Sequence, residues 1–148
     1  MLKINIEQPV RNYEAVVIMS PKASEEQQKQ LFKKNKSIIE GFKGELNHLD
    51  TWGSRSLANP IKKFHRGTFF HTTFTATSDC VAELERTMRI NDDVLRFMHI
   101  RLDDRQALSK HVEDYKEVLA EAKKRAEERE MKFQKKQAAR KPRRPART

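Results

Sequence analysis

The stretch Arg11-Asn12-Tyr13-Glu14-Ala15-Val16-Val17-Ile18-Met19-Ser20-Pro21-Lys22-Ala23-Ser24-Glu25-Glu26 holds the change of period that decides the fold. Up to Met19, Tyr13, Ala15, Val17 and Met19 face one way and Glu14, Val16 and Ile18 the other, the period-two signature of a strand. Ser20-Pro21 ends it, since proline brings no amide hydrogen to a ladder. Ser24 with Glu25 and Glu26 then starts a helix, the hydroxyl as cap and the acids in the first turn. Leu31, Phe32, Ile38, Ile39 and Phe42 give that helix an apolar face before Gly41 and Gly44 break it.

Outward from this strand-helix unit the alternation repeats. Residues 45–58 read as extended, with Leu46, Leu49, Trp52 and Leu57, a bulge at Gly53 and an exit at Asn59-Pro60. A basic connection, 61–67, leads into a strand over 68–77 whose Phe, Thr and His side chains suit a pleated surface. Ser78 and Asp79 cap a shorter helix carrying Val81, Leu84 and Met88, and 91–93 turn the chain into a last strand over 94–102. The order β-α-β-β-α-β with right-handed crossovers predicts a ferredoxin-like α+β fold: a four-stranded antiparallel sheet with two helices on one face. Its first and third strands lie in the middle and its second at an edge, where unpaired backbone groups call for a partner. Phe69, His71, Leu95, Phe97 and His99 are expected on the face without helices, an apolar surface unless something packs there.

The remainder of the chain is of another kind. From Asp104, read as an N-cap, Leu108, Val112, Tyr115, Leu119, Ala122 and Ala126 form one helical stripe that shrinks to alanine. We therefore expect a domain over residues 1–103, a charged C-terminal helical extension over 104–130 and a disordered basic tail over 131–148. Of 148 residues, 31 are Lys or Arg and 21 Asp or Glu, a formal charge of +10. Residues 131–148 hold eight bases and no acid, so most of that charge sits outside the domain. Such a tail favours contact with phosphates.

Several classes of function are disfavoured. No apolar run reaches the roughly 18–20 residues of a membrane span, and the N-terminus lacks the basic-then-apolar order of a signal peptide, so a cytoplasmic protein with no membrane partner is expected. Cys80 is a single cysteine and makes neither a disulfide nor a zinc site. The five histidines show no ligand spacing, although His71 and His99 fall on strands that could be adjacent. Phosphate-cradling glycine motifs and the H-E-x-x-H metal motif are missing. An acyl-phosphate hydrolase on this fold would want an arginine-bearing loop after the first strand, where this chain has Ser20-Pro21-Lys22-Ala23. No enzyme and no cofactor is expected. A free-standing regulatory ligand-binding domain and that hydrolase are the alternatives.

What remains is cations interleaved with planar side chains. Arg55, Lys62, Lys63, His65 and Arg66 surround Phe64, and Arg89, Asn91 and Arg96 bracket the turn into the last strand. Guanidinium and ammonium groups satisfy phosphate oxygens, and aromatic or arginine planes stack on unpaired bases. The third strand lacks the pattern of an RNA-recognition motif, so the loops and not the sheet are the expected contact.

Four blocks carry a resemblance: Arg11-Asn12-Tyr13-Glu14; Trp52-Gly53-Ser54-Arg55-Ser56-Leu57-Ala58-Asn59-Pro60-Ile61-Lys62-Lys63; Leu84-Glu85-Arg86; and Arg89-Ile90-Asn91-Asp92-Asp93-Val94-Leu95-Arg96. Over roughly residues 10–102 the chain resembles the bacterial small-subunit ribosomal protein S6 family. The resemblance implies a structural component of the small ribosomal subunit that binds its RNA, in the central domain, together with ribosomal protein S18 and neighbouring subunit components. The RNA-contact residues expected here are Arg11, Arg55, Lys62, Lys63, Arg66, Arg89 and Arg96. Trp52, Leu57, Asn59 and Ile61, on the second strand and its flank, are expected to meet the protein partner. Some family members end in an acidic tail that can receive added glutamates; this chain departs from that pattern with Arg-Arg-Pro-Ala-Arg-Thr, so nothing about tail glutamylation is carried over.

Overall fold

β1 (Arg11–Met19) buries Tyr13, Ala15, Val17 and Met19 and leaves the residues between them half-buried, as its alternation requires. It lies between two partners, because the computed structural model orders the sheet β2-β3-β1-β4, all antiparallel. Residues 8–139 are described. Their elements are β1, α1 (Glu25–Gly41), β2 (Glu45–Ile61), β3 (Phe64–Ala76), α2 (Ser78–Ile90), β4 (Val94–Arg101) and α3 (Leu108–Ala138). This is the expected ferredoxin-like arrangement, with β1 and β3 central and β2 at an edge. Packing divides the chain into two units, Met1–Arg105 and Gln106–Thr148.

Both helices cover the same face. One core cluster joins Val17, Met19, Phe70 and Val94 of the sheet to Leu31 and Phe32 of α1 and Met88 of α2. The other joins Tyr13, Ala15, Phe74 and Ala76 to Ile39 of α1 and to Cys80 and Leu84 of α2. Burying each large apolar side chain in such a layer contributes roughly 1.5–3 kcal/mol relative to exposure. Cys80 is fully buried, and burial pushes its thiol up to about 11, so it acts as a small core residue.

Local chemistry explains most boundaries. At α1, Ser24 Oγ accepts from Gln27 N at 3.2 Å while Gln27 Oε1 accepts from Ser24 N at 2.8 Å, a closed capping box worth about 1 kcal/mol. Gly53, with φ of +73°, sits where the β2–β3 register shifts between Thr51 and Gly53, the expected bulge.

Several expectations need correcting. The connection over 61–67 and the strand exit at Asn59-Pro60 do not occur. β2 runs through Pro60 to Ile61, the chain reverses at Lys62-Lys63 alone, and β3 starts at Phe64. Lys62 and Lys63 have φ of 48° and 68°, the left-handed pair that a two-residue type I′ hairpin turn needs. Pro60 is tolerated because β2 is an edge strand.

Next, Phe97 and His99 face the helices and not the open side. Met19 pairs with Val94 but Ile18 with Arg96, so Leu95 is an extra residue that reverses the parity of β4. His99 thereby lies opposite Ala15, and Phe97 packs on the core. The face without helices carries Val16, Ile18, Phe69, His71, Met98 and Ile100 by the same register. His71 and His99 accordingly occupy opposite faces of strands separated by β1.

The third and fourth corrections concern helix starts. Thr77, with no side-chain bond, is the N-cap of α2, while the Ser78 hydroxyl turns to Gln8 Oε1. Ala107 precedes α3, and Asp104 instead accepts from Arg101 Nη2 at 2.7 Å and Arg11 Nη1 at 3.4 Å. α3 also continues past 130 to Ala138, so the first eight residues expected in the tail are helical. Lysine, glutamine, methionine and alanine, all good helix formers, supply all but Phe133 of those two turns. The rest of that tail, from 140, lies outside the described residues. No helix among the described residues is long and apolar enough to cross a membrane.

Candidate functional site

β2 and β3 span 17 and 13 residues, whereas β1 spans nine and ends opposite Thr68. Their hairpin therefore overhangs the sheet as a two-stranded ribbon from Arg55 to Gly67, with Lys62-Lys63 at its tip. The left-handed backbone at each lysine costs roughly 1 kcal/mol, which Asn-Gly at the same turn would avoid. Both lysine side chains stay exposed.

The arginines of the ribbon are held by neutral partners. Arg66 donates to Ser54 Oγ at 3.3 Å, Ser56 Oγ at 3.2 Å and the Ser54 carbonyl at 3.3 Å. Arg55 donates to the Trp52 carbonyl at 3.3 Å and lies 5.6 Å from the Trp52 ring centre. Trp52 in turn stacks on Phe69 and His71 at centroid distances of 5.9 and 6.0 Å. These bonds fix where each guanidinium points while its positive charge stays uncompensated by them.

Two neighbouring loops reach the same end of the sheet. Ser20 N donates to Asp93 O at 2.7 Å, tying the loop after β1 to the turn before β4. Lys22, on that loop, sits 5.5 Å over the Phe64 ring. Sequence reasoning did not count Lys22 among the expected RNA contacts; its loop was considered only as the place where a hydrolase would carry an arginine, and its position after the first strand was the available signal. Arg96 is exposed opposite Ile18 on the open face. Arg89, at the end of α2, is bound to Glu85 at 3.2 Å and lies 5.8 Å from the Phe97 ring. Acids share this end too: Asp92 and Asp93 form the turn, where Asn91 Oδ1 accepts from Asp93 N at 2.9 Å.

Six of the seven expected RNA-contact residues thus gather at one end: Arg55, Lys62, Lys63, Arg66, Arg89 and Arg96. Arg11 does not. It pairs across from Ala76 at the opposite end of β1, in the Asp104 ion pair.

The residues expected to meet a protein separate in the same way. Trp52 lies on the open sheet face under Arg55. Leu57 and Asn59 lie in a segment of four residues, 57–60, between the pairs Ser56↔Arg66 and Ile61↔Phe64, so His65 alone stands opposite them. Leu57 and Ile61 are half-buried and Asn59 exposed. This edge segment offers apolar side chains and backbone groups together, the requirement for adding a partner strand or loop. Among the described residues no cluster of three or more His, Cys, Asp or Glu could hold a metal ion.

The site so built is an overhanging ribbon of exposed cations beside a stacked tryptophan, and comparison with known proteins gives the family. A family model described as Ribosomal protein S6 matches residues 12–101. The small ribosomal subunit protein bS6 of Bdellovibrio bacteriovorus is 59% identical over 110 residues, covering 74% of this chain and 72% of the relative. That of Caldanaerobacter subterraneus is 41% identical over 95 residues, covering 64% of this chain and all of the relative. The crystal structure of 30S ribosomal protein S6 from Thermotoga maritima aligns with a TM-score of 0.60 at 29% identity, covering 73% of this chain and 99% of that one. The chain belongs to the ribosomal protein S6 family and is a protein of the small ribosomal subunit.

Proposed function

We propose that this protein docks on small-subunit ribosomal RNA, in the central domain, through the cations at the hairpin end of its sheet, beside ribosomal protein S18 on edge strand β2. The observation that carries this reading is the overhanging ribbon, in which Arg55 and Arg66 are aimed by neutral partners and Lys62-Lys63 are exposed on a turn they strain. Phosphate contacts set orientation, and RNA shape with the partner supplies selectivity. The role is positional: it holds RNA and protein in register during assembly and performs no chemistry. The ribosome-bound protein works in the cytoplasm. The domain over 1–103 does the docking, while the bases of 131–148 add non-specific attraction.

Sedimentation at moderate salt tests this reading. The protein is expected to travel with the small subunit and leave the free pool empty. Deleting residues 131–148 should remove most non-specific RNA affinity and spare docking in the presence of S18. Loss of that docking on deletion would assign it to the tail.

A further inference from the structure

The C-terminal unit contains a charged surface that the hairpin reading leaves unexplained. Every residue from Ala120 to Ala139 is exposed, and α3 is a continuous helix through Ala138. Along it Arg125, Arg129, Lys132 and Lys136 recur at spacings of four, three and four, which places them on one stripe about 16 Å long. Glu127 and Glu130 fall on the other side of the helix, Glu128 borders the stripe four residues before Lys132, and no acid follows Glu130. Arg125 is bound to Glu121 at 3.1 Å, leaving Arg129, Lys132 and Lys136 as the open part of the stripe.

We propose that this stripe is a second RNA-contact surface, taking the phosphate backbone of folded RNA independently of the hairpin. The proposal rests on the RNA-docking reading above and extends it to α3. A rigid row of cations suits the evenly spaced phosphates of a nucleic-acid backbone, and Phe133, four residues after Arg129 and three before Lys136, is the one aromatic that borders the row. A membrane surface is the poorer fit. Of the exposed apolar residues, Val118 lies on the cation stripe seven residues before Arg125, Phe133 borders it and Met131 falls away from both, so they form no apolar face opposite the cations.

The test compares two double variants of the full chain with equal loss of charge, Arg129→Ala/Lys132→Ala on the stripe and Lys116→Ala/Lys123→Ala on the opposite side. Alanine keeps helix propensity high, and circular dichroism checks that the helix survives. Binding to purified small-subunit ribosomal RNA is measured across a salt series, with phosphatidylserine vesicles as a second probe. The stripe variant should bind about tenfold more weakly near 0.2 M salt with a salt slope smaller by about two, and the opposite-side variant should stay within about twofold of the parent. Equal weakening by both, or none by the stripe variant, would overturn the proposal, as would a stripe effect confined to vesicles. A Lys62→Ala/Lys63→Ala/Arg66→Ala variant run in parallel separates the two readings. If it weakens binding and the stripe variant does not, only the stripe fails; if neither does, RNA docking itself fails.

Discussion

The two ends of the sheet are both rich in arginine, yet they hold their charge differently. At the end near Arg11, Arg11 and Arg101 share Asp104, and Arg105 is bound to Asp103 at 2.9 Å, so cations meet acids. At the hairpin end Arg66 rests on two serines and Arg55 on a carbonyl and an indole. Neutral partners order a guanidinium without cancelling it, whereas a carboxylate does both. A cation count along the sequence therefore overstates one end and understates the other. Arg89, which is at the hairpin end but bound to Glu85, is intermediate.

This contrast can be broken experimentally, and the largest expected effect comes from reversing charge. Lys62→Glu/Lys63→Glu should weaken binding to small-subunit RNA by about a hundredfold or more near physiological salt, and Arg11→Glu by no more than about threefold. Filter binding across a salt series would show it, and comparable losses from both would erase the distinction between the ends.

A second variant separates stability from function at the tip. Lys62→Asn/Lys63→Gly supplies the residues that a type I′ turn prefers, so the melting temperature should rise by several degrees, from about 2 kcal/mol of strain relieved over the two positions. RNA affinity should fall in the same protein. A turn kept for its fold alone would lose no affinity.

A smaller effect is expected from Asp104→Asn. It leaves Arg11 and Arg101 without their shared anion, and because an exposed ion pair is worth about 0–1 kcal/mol, stability should barely move. RNA affinity should rise by about twofold, read at low salt.

The smallest effect concerns pH. Burial lowers the proton affinity of His99, against the opposing pull of Glu85, whose Oε1 lies 3.5 Å from His99 Nδ1 without hydrogen-bond geometry. The folded state then binds fewer protons than the unfolded one once pH falls below the ordinary histidine value of about 6.5. Stability should be full above that value and decline as pH drops toward the lowered one. Thermal melts from pH 7 to 5.5 should show a decline that His99→Phe reduces.

Much of the fold was legible because local rules and global packing agree. The β1 alternation, the Ser24 capping box and the Gly53 bulge follow from residues within a few positions of one another. The rest depended on distant partners. Lysines at a left-handed turn break the usual turn chemistry, so the hairpin read as a loop. The extra Leu95 is defined only by its register against β1, and without that register Phe97 and His99 fall on the wrong face. Asp104 is a residue type that caps helices, but Arg101 and Arg11 hold its carboxylate and the helix begins only at Leu108. At the site, residue types identified the cationic cluster, but the register of β1 is what places Arg11 at the other end, and only a paired acid separates Arg89 from the others.

The central claim, that the hairpin end meets the RNA, is tested most directly by photo-crosslinking in assembled small subunits, with a crosslinker placed in turn at positions 62, 63 and 11. The account predicts crosslinks to ribosomal RNA from 62 and 63 and little or none from 11. Strong RNA crosslinks from 11 with none from the hairpin tip would contradict it.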